Sequence, residues 1–118
     1  MAFPRTARLL DAAEFAPALK GRRLARGALF VLSMAPGGTE ARLGMVVGKR
    51  QAPLAVSRNA IRRVLREAFR LQRAGLPAGA YVVRLHTRID SMSLTALKRA
   101  VRQEIDAHLV RAARPRGH

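Results

Sequence analysis

A cationic stretch over residues 49–73 limits what this chain can fold into. It holds eight lysine and arginine side chains and a single acid, Glu67. With about 100° between residues on an α-helix, most of these cations fall within an arc of roughly 120°, and the opposite arc is apolar. The cationic arc consists of Arg58, Arg62, Arg66, Arg70 and Arg73, with Arg63 at its edge. The apolar arc consists of Ile61, Val64, Leu65, Ala68 and Leu71.

The spacing of these cations points to a polyanionic partner. Like charges four residues apart on a helix repel, at a few tenths of a kcal/mol per pair. A row of cations that is kept at this cost indicates a polyanion that neutralises it. The formal net charge of the chain is +16 and its sequence pI is about 12. Such an excess favours nucleic acid as the partner, with an anionic membrane surface as the next candidate. Arginine, which forms bidentate contacts with phosphate, outnumbers lysine twenty to three.

The remaining composition excludes several classes of protein. A chain of 118 residues, 49% of them hydrophobic, predicts one domain with a modest core. The absence of cysteine excludes disulfides, thiolate zinc sites and cysteine nucleophiles. No apolar run approaches the roughly 20 residues that span a bilayer. The first residues lack the apolar segment of a signal peptide, so a cytoplasmic protein is expected.

Periodicity and end signals predict three helices, over residues 12–19, 57–73 and about 91–112. Asp11 and Ser57 are the expected caps of the first two. Strands are predicted over residues 27–34, 42–48 and 79–86, with a weak edge strand over 21–26. The first two long strands flank a PGGTE turn and are expected to pair as an antiparallel hairpin.

The order of these elements, αβββαβα, predicts an α+β fold. Helices would cover one face of a sheet in a two-layer α/β sandwich. Residues 1–118 would form a single RNA-binding domain, with residues 1–9 and 113–118 flexible.

The acids and histidines form no pattern that is typical of an active site. The chain has seven acids and three histidines, whereas an enzyme needs a nucleophile, an acid–base pair or a metal site. Glu104 and Asp106 are close in sequence, but residues two apart on a helix do not face each other. His108 is expected to be an ordinary packed histidine. The sequence therefore predicts no catalytic residue and no metal ligand.

Two groups of side chains allow alternatives. Glu67 is expected to pair with Arg63 at i,i+4 rather than to act in catalysis. Phe15 and Phe30 lie among aliphatic residues, so they are either core residues or platforms for base stacking. Tyr81, on a predicted strand, allows the same two interpretations.

The segment RLGMVVGKR, followed by a short loop and AVSRNAIRRVLREAFR, closely resembles the bacterial ribonuclease P protein family. That family carries a strand ending in a basic pair, then a helix with an Arg-Asn-Arg core and further basic residues. Lys49 and Arg50 match the basic pair, and Arg58 and Asn59 match the start of the core. The rest of the motif is matched by Arg62, Arg63, Arg66, Glu67 and Arg70. The likeness covers about residues 5–112.

Three positions depart from the family pattern. Ala60 stands at the third position of the Arg-Asn-Arg core, so this chain lacks the side chain for the contact that a third arginine would make. Ser33 and Leu19 stand where some members place an aromatic residue. Contacts to the leader are therefore expected to be less stacked and more electrostatic.

The resemblance implies a fold and an activity. The family fold is an α/β sandwich in which a left-handed βαβ crossover joins the basic helix to the next strand, an exception to the usual right-handed rule. The family protein binds the catalytic RNA of ribonuclease P and the 5′ leader of precursor tRNA. The RNA, with Mg²⁺, removes the leader and leaves mature 5′ ends. The protein would bind no metal itself and would need no protein partner and no membrane.

The resemblance and the charge pattern together assign the site residues. Contacts to the catalytic RNA are expected from Lys49, Arg50, Arg58, Asn59, Arg62, Arg63, Arg66, Arg70 and Arg73. A leader cleft between the first helix and the sheet would be lined by Phe15, Leu19, Lys20, Arg22, Arg23 and Phe30.

Other functions fit the charge of the chain. A ribosomal or RNA-assembly protein would bind structural RNA without a role in cleavage. A protein-only nuclease is disfavoured by the few scattered acids. A DNA-binding module is disfavoured because no helix-turn-helix pattern is present.

Overall fold

The order of helices and strands follows the predicted αβββαβα arrangement and confirms the α+β class. The computed structural model describes residues 12–89 and 92–113. The elements are α1 (Ala12–Leu19), β1 (Arg22–Arg26), β2 (Phe30–Pro36), β3 (Ala41–Val46), α2 (Ala55–Gln72), a 3-10 turn (Arg73–Gly75), β4 (Gly79–Leu85) and α3 (Leu94–Ala113). The predicted cap Asp11 and the predicted flexible residues 1–9 lie outside the described residues. Ala113 belongs to α3, and the rest of the predicted flexible tail also lies outside them.

The four strands form one sheet in the order β1-β2-β4-β3. β2 is antiparallel to both β1 and β4, whereas β3 runs parallel to β4. The predicted hairpin between β2 and β3 is therefore wrong, since β4 lies between them. Two apolar strands joined by a short turn do not reveal whether a third strand, later in the chain, inserts between them.

The connection from β2 to β3 crosses the beginning of β4. The Gly37 amide donates a hydrogen bond to the Ala78 carbonyl at 3.4 Å, and the Gly79 amide donates to the Glu40 carbonyl at 3.3 Å. Gly37 and Gly38 have φ values of 143° and 75°, which other residues rarely adopt. The two glycines thus allow the short connection to step over one strand. The handedness of the β3-α2-β4 crossover stays a prediction from the resemblance.

The main core lies between the sheet and the pair of helices α2 and α3. Its sheet side chains alternate along β2 and β4, as the pleat requires. The fully buried members are Phe30, Leu32, Tyr81, Val83, Ile61, Leu65, Leu97, Val101, Ile105 and Leu109. The ring of Tyr81 packs 6.0 Å from that of Phe69. Burial raises the pKa of Tyr81 to about 12, and its hydroxyl donates to the Pro77 carbonyl at 2.5 Å. Tyr81 and Phe30 are therefore core residues.

The opposite face of the sheet is covered in part by α1. Ala18 packs there with Ala80 and Val82, and Phe15 lies half-buried against them. Ala80 and Val82 alternate along β4 with the core residues, so they point to the other side of the sheet. The expectation that every helix covers the same face is wrong for α1.

Glu104 on α3 holds the turn between β1 and β2. Its carboxylate accepts hydrogen bonds from the Leu29 and Phe30 amides at 2.9 and 2.6 Å. Nε2 of the buried His108 lies 3.1 Å from the same carboxylate. A Cβ at position 27 would lie only 2.6 Å from the carboxyl carbon, so Gly27 leaves the space that this contact needs. α3 is thereby fixed over β1 and β2, beside α2.

Candidate nucleic-acid interface

Helix α2 presents one apolar face to the core. Ile61, Leu65, Ala68 and Phe69 are buried, and their spacing of four, three and one residues keeps them on one side of the helix. Leu71 was predicted to join them but is 55% exposed. Phe69, at i+8 from Ile61, occupies the core position instead. The outer face of α2 is left to the arginines.

The N-terminal end of α2 is held by an arginine rather than by a side-chain cap. The helix begins at Ala55, two residues before the predicted cap Ser57, and it has no side-chain cap. Nη1 of Arg58 donates to the carbonyls of Ala52 and Pro53 at 2.8 and 2.9 Å. Arg58 is half-buried and fixes the loop that precedes the helix. Its guanidinium thus has a structural role beside the predicted RNA contact.

Four arginines on the outer face of α2 form the arginine stripe. They are Arg62, Arg63, Arg66 and Arg70, of which Arg62 is half-buried and the others are exposed. Asn59 is exposed near the start of the helix, and Lys49 and Arg50 are exposed in the preceding loop. Within residues 12–89 and 92–113, no acidic side chain pairs with Arg62, Arg63 or Arg66. These guanidiniums can therefore bind phosphate oxygens without first breaking an ion pair.

Glu67 pairs with Arg70 rather than with the predicted partner Arg63. Nη2 and Nε of Arg70 donate to the two carboxylate oxygens at 2.7 and 3.2 Å. The hydrogen bonds from Arg70 lower the pKa of Glu67, and the Arg102 charge on α3 lowers it further. Both side chains are about half-exposed, so solvent screens the pair and it contributes little to stability. Arg70 is nevertheless the member of the stripe that already has an anionic partner.

Arg73 does not belong to the exposed surface, so its predicted place in the cationic arc is wrong. Its side chain is only 7% exposed. Nε donates to the Ala41 carbonyl at 3.0 Å, and Nη2 lies 2.6 Å from Oε1 of Glu40. α2 ends at Gln72 and the chain turns there, so the helical spacing no longer gives the direction of this side chain. Arg73 ties the end of α2 to the start of β3.

The residues predicted for the leader cleft separate onto two faces of the sheet. Phe15 lies on the α1 side, and Leu19 and Lys20 are exposed at the end of α1. Phe30 is fully buried under α3 on the other face, so its predicted place in the cleft is wrong. The alternation of the strand cannot reveal which face a later helix will cover.

The register of the strands changes which arginines lie on the α1 side of the sheet, compared with those predicted for the leader cleft. Arg23 pairs with Ser33, and residues directly opposite in a sheet share a face. Arg22 pairs with Met34, a core residue on the face of α2 and α3. Arg84 of β4, exposed and two residues after Val82, lies on the α1 side with Arg23. Arg84 was not among the residues predicted for the cleft, although an arginine inside the apolar strand GAYVVRL was a usable signal.

The described part of the chain shows neither a cluster of metal ligands nor a membrane-spanning helix. Among those residues no group of three or more His, Asp and Glu side chains could hold a metal ion. No helix among them is both long and apolar enough to cross a bilayer.

Comparisons with known proteins all point to one family. The family model described as Ribonuclease P matches residues 3–109. A ribonuclease P protein component of Bordetella avium is 60% identical over 114 residues, covering 94% of this chain and 95% of the relative. One from Paraburkholderia xenovorans is 47% identical over 118 residues, covering 96% of this chain and 85% of the relative.

Solved structures share the fold. A ribonuclease P protein from Staphylococcus aureus aligns with a TM-score of 0.71 at 23% identity, covering 92% of this chain and 99% of that one. A ribonuclease P protein from Thermotoga maritima aligns with a TM-score of 0.62 at 24% identity, covering 85% and 96%.

The neighbouring residues Arg70 and Arg73 should differ in their contribution to the stability of the fold. Arg73→Ala removes buried hydrogen bonds and leaves the Ala41 carbonyl and Glu40 without this partner. We expect it to lower the free energy of unfolding by about 2–3 kcal/mol. Arg70→Ala should leave the unfolding free energy unchanged within error. Urea denaturation followed by circular dichroism measures both, and equal stability of the two variants would contradict the structural role of Arg73.

Proposed function

The chain belongs to the ribonuclease P protein family, and we propose that it binds the catalytic RNA of that endoribonuclease through α2. The opposite face of the sheet would hold the 5′ leader of precursor tRNA while the leader is removed. The relatives carry the name of a protein component, and this favours a role in the enzyme over the alternative of a structural-RNA protein. We propose that the protein works in the cytoplasm, where it would meet both RNAs, and that it needs no protein partner.

The observation that carries this proposal is the pre-formed arginine stripe. Arg62 to Arg70 span roughly 12 Å along one helix, at 1.5 Å per residue. Their backbone is fixed by the buried face of the same helix, so little backbone ordering remains to be done on binding. Guanidiniums in a fixed row bind successive phosphates without reading bases. We place Lys49, Arg50 and Asn59 at the near end of this surface, and Arg58 at its margin.

We propose that the RNA performs the cleavage, with Mg²⁺ held through the RNA. The acids whose side chains are described already have structural partners. Glu40 pairs with Arg73, Glu67 with Arg70, and Asp106 with Arg102 at 2.9 Å. Glu104 accepts hydrogen bonds from the turn between β1 and β2. These carboxylates support the surface, and none is proposed as a catalytic group.

The α1 side of the sheet supports binding of the leader. Phe15 offers a half-buried aromatic ring, and Lys20, Arg23 and Arg84 offer exposed positive charge on or beside the same face. An aromatic side chain beside basic groups is the usual combination for single-stranded nucleic acid. The sheet separates this face from α2, so both RNAs can be bound at once.

Removing two arginines from the stripe should weaken binding to the catalytic RNA. Each phosphate contact contributes about 0.9 to the slope of log affinity against log salt, or about tenfold in affinity near 0.1 M salt. We expect Arg62→Ala/Arg66→Ala to lower the slope by about 2. Filter binding across a salt series measures this.

A control variant removes the same charge elsewhere. Arg26→Ala/Arg111→Ala removes two exposed cations, one on β1 and one near the end of α3. It should keep the wild-type slope. Equal losses in both variants would show that net charge, rather than the stripe, determines the affinity.

Changing the α1 side should affect only substrates that carry a leader. We expect Arg23→Ala/Arg84→Ala to weaken binding of precursor tRNA to the assembled enzyme roughly 25-fold near 0.1 M salt, because two contacts to a single-stranded backbone are lost, each contributing about 0.7 to the slope of log affinity against log salt. Binding of mature tRNA should not change. The ratio of the two dissociation constants is the measurement, and an unchanged ratio would remove these arginines from the leader site.

A further inference from the structure

We propose that α3 carries a second RNA-binding row, formed by Lys98, Arg99 and Arg102. This row, named here the α3 row, would hold a backbone segment of the catalytic RNA different from the segment on the arginine stripe. The inference rests on the proposed function, since it assigns a second surface to the same RNA.

The α3 row lies on the same side of the molecule as the arginine stripe. α2 and α3 pack side by side on one face of the sheet. Nε2 of Gln72 lies 3.4 Å from Oδ1 of Asp106, and the Arg102 charge acts on Glu67. The two helices therefore run in the same direction, with their polar outer faces adjacent. An RNA that covers one outer face is within reach of the other.

The charge of the α3 row has little internal compensation. Lys98 and Arg99 are exposed, and within the described residues neither has an acidic partner. Arg102 is 42% exposed and is bound to Asp106 at 2.9 Å. Lys98 and Arg102 lie one turn apart on the helix, where like charges repel by a few tenths of a kcal/mol. A phosphate backbone over this row would replace that repulsion by attraction.

Two carboxylates lie between the stripe and the α3 row. Glu67 on α2 is bound to Arg70, and Asp106 on α3 is bound to Arg102. A phosphate placed over this seam would meet negative charge, whereas on either side of it the uncompensated cations are exposed. A single RNA segment is therefore not expected to cross from the arginine stripe to the α3 row. Two separate segments of the catalytic RNA fit the charge pattern better.

The position of the row also selects between the two proposed RNAs. Leader binding is placed on the α1 side of the sheet, and α3 covers the opposite side. The leader would have to pass around the edge of the sheet to reach Lys98 or Arg99. The catalytic RNA, already held on α2, is the partner that the geometry favours.

The first test compares charge-matched variants in salt titrations with the catalytic RNA. Lys98→Ala/Arg99→Ala should lower the slope by about 2 and the affinity about tenfold per contact near 0.1 M salt. Alanine is favourable in a helix, so the variant should fold. Arg26→Ala/Arg111→Ala is the control, because Arg111 lies roughly 180° around α3 from Arg102. A slope equal to that of the control would overturn the inference.

The second test maps the RNA segments directly. The chain contains no cysteine, so Arg99→Cys and Arg66→Cys each provide a single thiol for a tethered iron–EDTA group. We expect each probe to cut the catalytic RNA in a different segment. Coinciding cuts, or no cuts from position 99, would overturn the inference.

Failure of this inference can be told from failure of the proposed function. If Arg62→Ala/Arg66→Ala weakens binding and Lys98→Ala/Arg99→Ala does not, the α3 row is wrong and the proposed function stands. If neither variant differs from the control, both are wrong.

Discussion

The burial of one face of α2 is the constraint on which the rest of the structure depends. Burying a side chain such as Ile61, Leu65 or Phe69 contributes about 1.5–3 kcal/mol each. Repulsion between neighbouring arginines on the outer face costs only a few tenths of a kcal/mol per pair. The free energy gained by burying the apolar face therefore exceeds the cost of the repulsion, and this burial fixes the position of the cationic face. The same helix serves as a core element and as a cationic surface, which is how a chain with a net charge of +16 can keep a packed core.

Much of this could be predicted from local patterns in the sequence. The core face of α2, the element order and the exposure of Arg63 and Arg66 follow from helical spacing and turn residues. Non-local contacts could not be predicted in the same way. The insertion of β4 between β2 and β3 depends on pairing across the chain, and the burial of Arg73 depends on the turn after α2. The place of Arg84 could not be predicted for the same reason, since it depends on which face of the sheet α1 covers.

The sheet divides the molecule into two sides that both carry exposed cations. One side carries α2 and α3 with their cations, and the other carries α1, Phe15 and Arg84. The acids whose side chains are described do not remove the positive charge of either side. They are bound to arginines, backbone amides or a histidine and hold these groups in place. This arrangement suits the proposed function, in which the protein holds two RNAs in a fixed relation and the RNA, with Mg²⁺, performs the cleavage.

The most direct measurement is the cleavage of a precursor tRNA at low Mg²⁺ by the catalytic RNA alone, by the protein alone and by both together. We expect that only the pair cuts at the mature 5′ end, because the protein would supply the positive charge that is missing at low Mg²⁺. Cleavage by the protein alone would contradict the assignment of catalysis to the RNA. Failure of the protein to stimulate the RNA would contradict the proposed function and favour a structural-RNA protein.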